Sequence, residues 1–170
     1  MENVSLKLLT KLDEEKFIKE NHEAFNYGAL QYFSSIDDQV EEEGQIISHK
    51  TIYDSIHKEN AFAYRIFLGT KKVGGIIVNV DGDKGDLDIL FINPEYHGNG
   101  IGSKAWFEIE KKYPNVKKWE TFTPTFEKRN INFYVNKLGF HIVEYFNKYH
   151  PDFSENDELD EMYRFEKIIK

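Results

Sequence analysis

The chain contains no cysteine among its 170 residues, and it has only four prolines. The absence of cysteine excludes a thiol nucleophile, a disulfide framework, a cysteine-ligated zinc site and an iron–sulfur cluster. Basic residues are also in deficit, because 22 Lys and Arg stand against 30 Asp and Glu and leave a net charge of −8. A general nucleic-acid-binding protein normally carries a basic excess. We therefore expect no nucleic-acid partner.

Long apolar segments and clustered metal ligands are missing too. No apolar run approaches the ~18 residues that a bilayer span requires, and the first 16 residues lack the basic start and apolar stretch of a signal peptide. The six histidines show no metal-ligand spacing, so we expect no metal. We expect a cytoplasmic protein without a membrane partner. A hydrophobic share of 40% is sufficient for one core, so residues 1–170 are predicted to form a single domain.

The order of apolar patterns and turn residues predicts an α/β domain with a mixed sheet, in which antiparallel strands come first and βαβα units follow. Four helices are predicted. The first begins near Asp13, and the others extend over Ser48–His57, from the glycines near residue 100 to Tyr113, and over Arg129–Leu138. Strands are predicted at Ser5–Leu9, Ala61–Leu68, Val73–Val80, Asp86–Ile92, Trp119–Thr123, His141–Tyr149 and Met162–Ile169.

Three glycines lie within five residues, between a buried-looking strand and an amphipathic helix: Gly98, Gly100 and Gly102. Bare backbone N–H groups at a helix start attract anions, and glycines let a phosphate approach the backbone. The G-x-G-x-G spacing differs from the dinucleotide fingerprint, and Gly102–Lys104 lacks the Gly-Lys-Ser/Thr order of a P-loop. From spacing alone, the cluster is either a phosphate-binding turn or a plain tight turn.

Two segments together resemble a known family. Residues Leu87–Ser103, LDILFINPEYHGNGIGS, resemble the acyl-CoA motif of the GNAT superfamily of N-acyltransferases, a strand and Pro-containing turn followed by Arg/Gln-x-x-Gly-x-Gly/Ala. Residues Phe133–Phe140, FYVNKLGF, resemble the second family signature, a tyrosine-bearing helix that ends at Leu-Gly-Phe. The two motifs occur in the family's order and spacing. The resemblance implies a GNAT-like fold whose sheet is splayed at the cofactor cleft.

Acetyl-CoA is the co-substrate that the resemblance implies. His97 stands where Arg or Gln is usual, and Asn130 is a candidate to replace an asparagine that many members have at the position of Glu127. The resemblance implies that the pantetheine arm pairs with the backbone of Leu90, Phe91 and Ile92. It also implies that the pyrophosphate lies at the turn formed by His97, Gly98, Asn99, Gly100, Ile101, Gly102 and Ser103.

Acyl transfer to an amine needs a base for the amine and a proton for the departing thiolate. Tyr134, by its motif position, is the candidate proton donor, although its place on an apolar stripe also suits a core residue. Regular strand alternation puts Asp88 on the same face as Leu90 and Ile92, and opposite Leu87, Ile89 and Phe91. Asp88 is therefore a candidate base. Glu120 on the next strand and a water chain are the alternatives.

These residues predict an N-acetyltransferase that moves an acetyl group from acetyl-CoA to a primary amine, in a small molecule or peptide, by direct attack in a ternary complex. The alternative is a non-catalytic acyl-CoA-binding or sensing module, and the presence of Tyr134 favours the enzyme. Two segments, Asp37–Glu43 and Asp152–Glu161, hold 11 of the 30 acidic residues. We expect them either to attract a cationic acceptor or to be solvated loops. Homodimers are common in the family and are an expectation here.

Overall fold

The computed structural model describes residues 2–31, 47–151 and 161–170. Within these residues, seven strands form one sheet in the order β1-β2-β3-β4-β5-β7-β6. The strands are β1 (Val4–Leu8), β2 (Ala61–Leu68), β3 (Lys71–Asp81), β4 (Lys84–Ile92), β5 (Lys118–Pro124), β6 (His141–Phe146) and β7 (Met162–Ile168). The helices are α1 (Glu14–Leu30), α2 (His49–His57), α3 (Ile101–Lys112) and α4 (Lys128–Asn132), with a π-helical turn at Phe133–Lys137. The predicted mixed α/β fold is confirmed. In these ranges no helix combines the length and apolarity needed to cross a membrane.

The sheet lies between two apolar layers. On one face, α1 and α2 bury Phe17 and Ile52 with Ile77 of β3. On the other face, α3 and the π-helical turn pack around Trp106 and Trp119, whose rings meet edge to face at 5.0 Å. We call these the α1–α2 face and the α3 face. Each helix covers the sheet with the apolar stripe that its spacing predicts, so the core fixes which side of β4 and β5 each side chain reaches.

The two parallel neighbours β4 and β5 pair over three positions, Lys84–Asp86 with Lys118–Glu120. Both strands then continue, to Ile92 and Pro124, beyond this pairing. At the first position after the paired region, the Thr121 hydroxyl donates a 2.9 Å hydrogen bond to the Leu87 carbonyl. We call this point the fork. A sheet that opens between β4 and β5 is the splayed cleft that the sequence resemblance implies.

A β-bulge in β4 changes which residues share a face. Ile77 of β3 pairs with Ile89, but the next residue, Val78, pairs with Leu87, so Asp88 is an extra residue. Leu87 accordingly packs on the α3 face, with Leu90 and Ile92, while Ile89 and Phe91 pack on the α1–α2 face. Asp88 also reaches the α1–α2 side, where it accepts a hydrogen bond from Ser55 of α2. The predicted grouping of Asp88 with Leu90 and Ile92, and of Leu87 with Ile89, is therefore wrong.

Two element boundaries also differ from the sequence prediction. The helix expected over Arg129–Leu138 changes from α to π geometry at Phe133, where the Leu138 N–H donates to the Phe133 carbonyl at 3.1 Å. Strand β6 ends at Phe146, because the Asn147 side chain accepts hydrogen bonds from the two N–H groups at 149 and 150 and turns the chain. The acidic segment Asp37–Glu43 and, apart from Glu161, the segment Asp152–Glu161 lie outside the described residues.

Candidate active site

The glycine turn before α3 has the backbone conformation that favours glycine. Gly98 and Gly100 have φ values of +81° and +69°, and Gly100 is the N-cap of α3. A Cβ added at either position would meet no atom within 4 Å. Gly102 is different, because a Cβ there would lie 3.1 Å from Cζ of Phe133. Backbone geometry therefore requires the first two glycines, and the space beside them is open to a ligand.

The N–H groups of residues 98–103 are available to an anion. The first helical hydrogen bond of α3 runs from the Lys104 N–H to the Gly100 carbonyl at 3.1 Å. In the described part of the chain, no N–H group from residue 98 to residue 103 donates to a backbone carbonyl. The positive end of the α3 dipole adds to the attraction for negative charge. The geometry of the turn thus fits a phosphate group. The cofactor-binding roles of its members stay predictions: Gly98, Asn99, Gly100, Ile101, Gly102 and Ser103.

The His97 ring uses both of its nitrogens within the protein. Nε2 lies 2.6 Å from the Ile92 carbonyl oxygen, and Nδ1 lies 3.2 Å from Nη2 of Arg129. Since a carbonyl accepts and a guanidinium donates, the neutral ring carries its proton on Nε2. Burial lowers the pKa of His97 and Arg129 lowers it further, whereas the hydrogen bond to Ile92 and the charge of Glu95 oppose them. His97 is therefore a neutral link between β4 and α4.

Tyr134 lies at the fork, on the α3 face. Its ring packs in the core against Phe133, Phe140 and Phe165, and its phenol lies beside the hydroxyl of Thr121. Burial raises the pKa of Tyr134 to about 12, in spite of the opposing effect of its hydrogen bond with the Thr121 side chain. The phenol therefore keeps its proton throughout the physiological range. The ring is a core residue, and its hydroxyl is at the same time placed where β4 and β5 separate.

Asp88 lies next to the fork, on the opposite face of the sheet. Its carboxylate accepts a 3.2 Å hydrogen bond from the Ser55 hydroxyl of α2, and part of the residue stays exposed to solvent. Partial burial raises the pKa of Asp88, against the opposing effects of Lys58 and Ser55. The neighbouring Asp86 also has a raised pKa, first through burial and then through the charges of Asp88 and Glu120.

Glu120 is held in an ion-pair network instead. Its Oε1 lies 3.1 Å from Nζ of Lys118 and 2.9 Å from Nη1 of Arg164. Arg164 also pairs with Glu144 at 2.8 Å and with Glu166 at 2.6 Å, so the network joins β5, β6 and β7. Two cations already pair with Glu120, whereas Asp88 has one hydrogen bond from Ser55 and a nearby lysine, Lys58.

The acid and base candidates lie near the fork on opposite faces of the sheet. The Tyr134 phenol reaches Thr121, Thr121 bonds to the Leu87 carbonyl, and Asp88 follows Leu87 in the chain. The two groups are therefore at the same level of the fork, one on each face. This arrangement can remove a proton on one side of a bound reacting group and supply a proton on the other.

The remaining predicted cofactor residues flank the same opening. Leu90 and Ile92 are half-buried on the α3 face, while Phe91 is buried on the other face with its ring 5.0 Å from that of Phe17. The Asn130 side chain is half-buried and has no hydrogen-bond partner in the described part of the chain. Burial raises the pKa of Glu127, opposed by Arg129. The roles of Leu90, Phe91, Ile92 and Asn130 stay predictions.

Four residues at this site were missed by sequence reasoning: Ser55, Lys58, Thr121 and Arg129. None of them belongs to a recognisable motif. The hydrogen bonds of Ser55, Thr121 and Arg129 to Asp88, Leu87 and His97 join residues that are more than 30 positions apart. The only available signal was position, because Thr121 lies inside a predicted strand and Arg129 was expected at the start of the tyrosine-bearing helix.

Several solved structures with the same architecture are described as acetyltransferases. An acetyltransferase from Thermus thermophilus superposes with a TM-score of 0.71 at 15% identity, over 99% of this chain and 100% of that one. The PaiA N-acetyltransferase from Thermoplasma acidophilum, in complex with coenzyme A, superposes with a TM-score of 0.66 at 18% identity, over 98% and 99% of the two chains. At these identities the likeness establishes the fold alone.

Sequence comparison identifies the family itself. The profile of the Acetyltransferase (GNAT) family matches residues 16–140, which is well over half of the chain, and the protein therefore belongs to this family. The resemblance drawn from the two motifs is confirmed. A relative from Bacillus subtilis (strain 168), described as uncharacterized protein YrkN, is 40% identical over 179 residues, covering 98% of this chain and 94% of its own.

Proposed function

We propose that this protein is an N-acetyltransferase that moves an acetyl group from acetyl-CoA to a primary amine while both substrates are bound. The observation that carries the proposal is the placement of Tyr134 and Asp88 on opposite faces at one level of the fork. A protonated phenol and a carboxylate beside a gap in the sheet suit direct transfer of the acetyl group from the thioester to the amine. The chain has no cysteine to form a thioester of its own.

The residues that would hold the co-substrate lie in the glycine turn before α3 and in the part of β4 beyond its pairing with β5. The N–H groups of 98–103 would bind the pyrophosphate, and the β4 backbone beyond the fork, at Leu90–Ile92, would pair with the pantetheine arm. Asn130, whose side chain has no hydrogen-bond partner within the described residues, is a further candidate contact. Acetyl-CoA supplies the acetyl group as an activated thioester. The coenzyme A complex of the Thermoplasma acidophilum relative supports this assignment.

Two proton movements complete the reaction. Asp88 accepts the proton that the amine nitrogen loses as that nitrogen bonds to the acetyl carbon. Tyr134 donates its phenolic proton to the sulfur as the carbon–sulfur bond breaks. Proton exchange with solvent then returns Asp88 to its carboxylate and Tyr134 to its phenol. We favour Asp88 over Glu120 as the base because Lys118 and Arg164 already occupy the Glu120 carboxylate.

The acceptor is proposed to be cationic. An unreacted primary amine is protonated at neutral pH, and Asp86 and Asp88 place two carboxylates on the α1–α2 face beside the fork. An ammonium group there would be attracted. It releases one proton to solvent to free its lone pair, and Asp88 accepts the second proton as the nitrogen bonds to the acetyl carbon. The acceptor is a small molecule or a peptide, and the two carboxylates favour binding of its positively charged amine.

Release of free thiol from acetyl-CoA, measured with a panel of polyamines, aminoglycosides, amino acids and peptides, tests the proposal. We expect turnover with at least one amine, and loss of that turnover in Asp88→Asn. The matched control is Asp81→Asn, an exposed carboxylate at the β3–β4 turn, which should keep wild-type turnover. Acetyl-CoA binding without turnover across the panel would overturn the enzyme and leave the non-catalytic acyl-CoA-binding module.

A further inference from the structure

Arg129 presents a positive charge beside the glycine turn, where it opposes the burial that raises the pKa of the nearby Glu127, without a salt bridge between the two in the described residues. Its side chain is exposed, and within the described ranges it takes part in no ion pair. Its one hydrogen bond there runs from Nη2 to Nδ1 of His97, at 3.2 Å. A guanidinium has five N–H donors in a planar arrangement, so most of its donors stay available to a ligand.

The packing of α4 directs this guanidinium toward the start of α3. Phe133 follows Arg129 by four residues, and its N–H donates to the Arg129 carbonyl, so the two side chains share one face of the helix. That face contacts α3, because the Phe133 ring lies 3.1 Å from the Cβ position of Gly102. Arg129 is therefore next to the residues whose N–H groups point outward.

His97 fixes the guanidinium but has no proton to offer an anion. Its only ring proton in the neutral form goes to the Ile92 carbonyl, and its other nitrogen accepts from Arg129. The family pattern has Arg or Gln at this position of the motif, and either side chain can donate to a phosphate. In this chain, the motif residue His97 instead accepts a hydrogen bond from the guanidinium of Arg129 in α4.

We propose that Arg129 binds the pyrophosphate of CoA together with the glycine turn, and that His97 is the positioning residue that holds it there. The inference rests on the proposed function only in taking CoA as the ligand of the turn. A planar guanidinium can bond to two phosphate oxygens at once, which a histidine cannot do. The chain thus keeps a cation at the pyrophosphate although the usual motif position holds a neutral ring.

The test is the Kd of CoA, measured by calorimetry without any amine. We expect Arg129→Ala to weaken CoA binding about tenfold, which corresponds to about 1.4 kcal/mol. Lys137→Ala removes the same charge from an exposed site farther along the same segment, and it should leave Kd unchanged. His97→Ala should weaken binding less than Arg129→Ala. Adding His97→Arg to Arg129→Ala should restore most of the affinity, a rescue that a merely structural role would not produce.

Two further ligands decide which phosphate is bound. The tenfold loss should persist with dephospho-CoA, which lacks the 3′-phosphate, and it should vanish with pantetheine, which has no phosphate. A loss that disappears with dephospho-CoA would overturn the assignment to the pyrophosphate. Equal Kd values for wild type and Arg129→Ala would overturn this inference alone. Failure of the wild-type protein to bind CoA would instead overturn the proposed function, and the inference with it.

Discussion

Three glycines with the same backbone conformation allow a matched test of the phosphate-binding turn. Gly98 and Gly100 lie at the start of α3, and Gly82 lies in the turn between β3 and β4, with φ of +62°. A Cβ added at any of the three would meet no atom within 4 Å. Alanine at each position therefore imposes the same left-handed backbone strain and no steric clash.

The structural cost of the three substitutions should be nearly equal. A left-handed conformation costs an L-residue roughly 1–2 kcal/mol, and in a domain of this size each kcal/mol lowers Tm by about 2–4 °C. Each alanine variant should thus stay folded, with Tm reduced by roughly 2–8 °C. Gly82→Ala provides the reference for that loss, because it lies outside the proposed site.

CoA affinity should separate the variants. A methyl group at Gly98 or Gly100 stands in the open space next to the N–H groups of residues 98–103 and holds a phosphate away from them. Hydrogen bonds to a charged group contribute about 1.5–3 kcal/mol each, so losing one weakens binding roughly ten- to a hundredfold. Calorimetry with CoA and thermal unfolding of each free variant measure the two effects separately.

Two results would refute this reasoning. If Gly98→Ala and Gly100→Ala bind CoA as tightly as Gly82→Ala, the glycine turn does not contact the phosphates. If Gly82→Ala weakens CoA binding by the same factor, the loss of affinity comes from general destabilisation and not from a change in the phosphate-binding turn.

Three other predictions follow from the fork and the core. Tyr134→Phe should lower turnover, measured by thiol release, by roughly 10²- to 10⁴-fold. The Kd of CoA, measured by calorimetry, should stay unchanged. Wild-type kcat/KM should rise with pH through the raised pKa of Asp88, and Asp88→Asn should abolish that limb. Because burial favours the protonated form of Asp88, its carboxylate destabilises the folded protein as pH rises above about 4. Urea denaturation at pH 7 should therefore give Asp88→Asn a higher free energy of unfolding than wild type. Arg65→Ala removes a buried guanidinium that pairs with Asp13 at 2.6 Å and with Glu20, and should lower the free energy of unfolding by ~3–5 kcal/mol in urea.

Each of these has a result that contradicts it. Unchanged turnover in a folded Tyr134→Phe protein would remove the phenol from the reaction. An acid limb that survives Asp88→Asn would point to a water chain or to another carboxylate as the base. An Arg65→Ala protein within ~1 kcal/mol of wild type would mean that the paired carboxylates are well solvated once the arginine is gone.

Local sequence was sufficient where one segment forms a feature by itself. The glycine turn and the tyrosine of the second signature are each contained in a few consecutive residues, and both occur where they were predicted. The orientation of Asp88 was not available in this way, because the bulge depends on how β4 aligns with β3. Arg129 was missed for the same reason, since its partner is 32 residues away and the usual motif residue is replaced by His97.

The bulge determines from which side an acceptor can reach the fork. With regular alternation, Asp88 would project on the α3 face, the same side as Tyr134. The two groups could not then accept the amine proton on one side of the gap and donate a proton to the sulfur on the other. The extra residue instead puts Asp88 beside Ser55 and Lys58, on the face where α2 lies. The amine should therefore approach from the α1–α2 face, and the thiol should depart toward the α3 face. A change at Ser55 should accordingly alter KM for the amine while leaving the Kd of CoA unchanged.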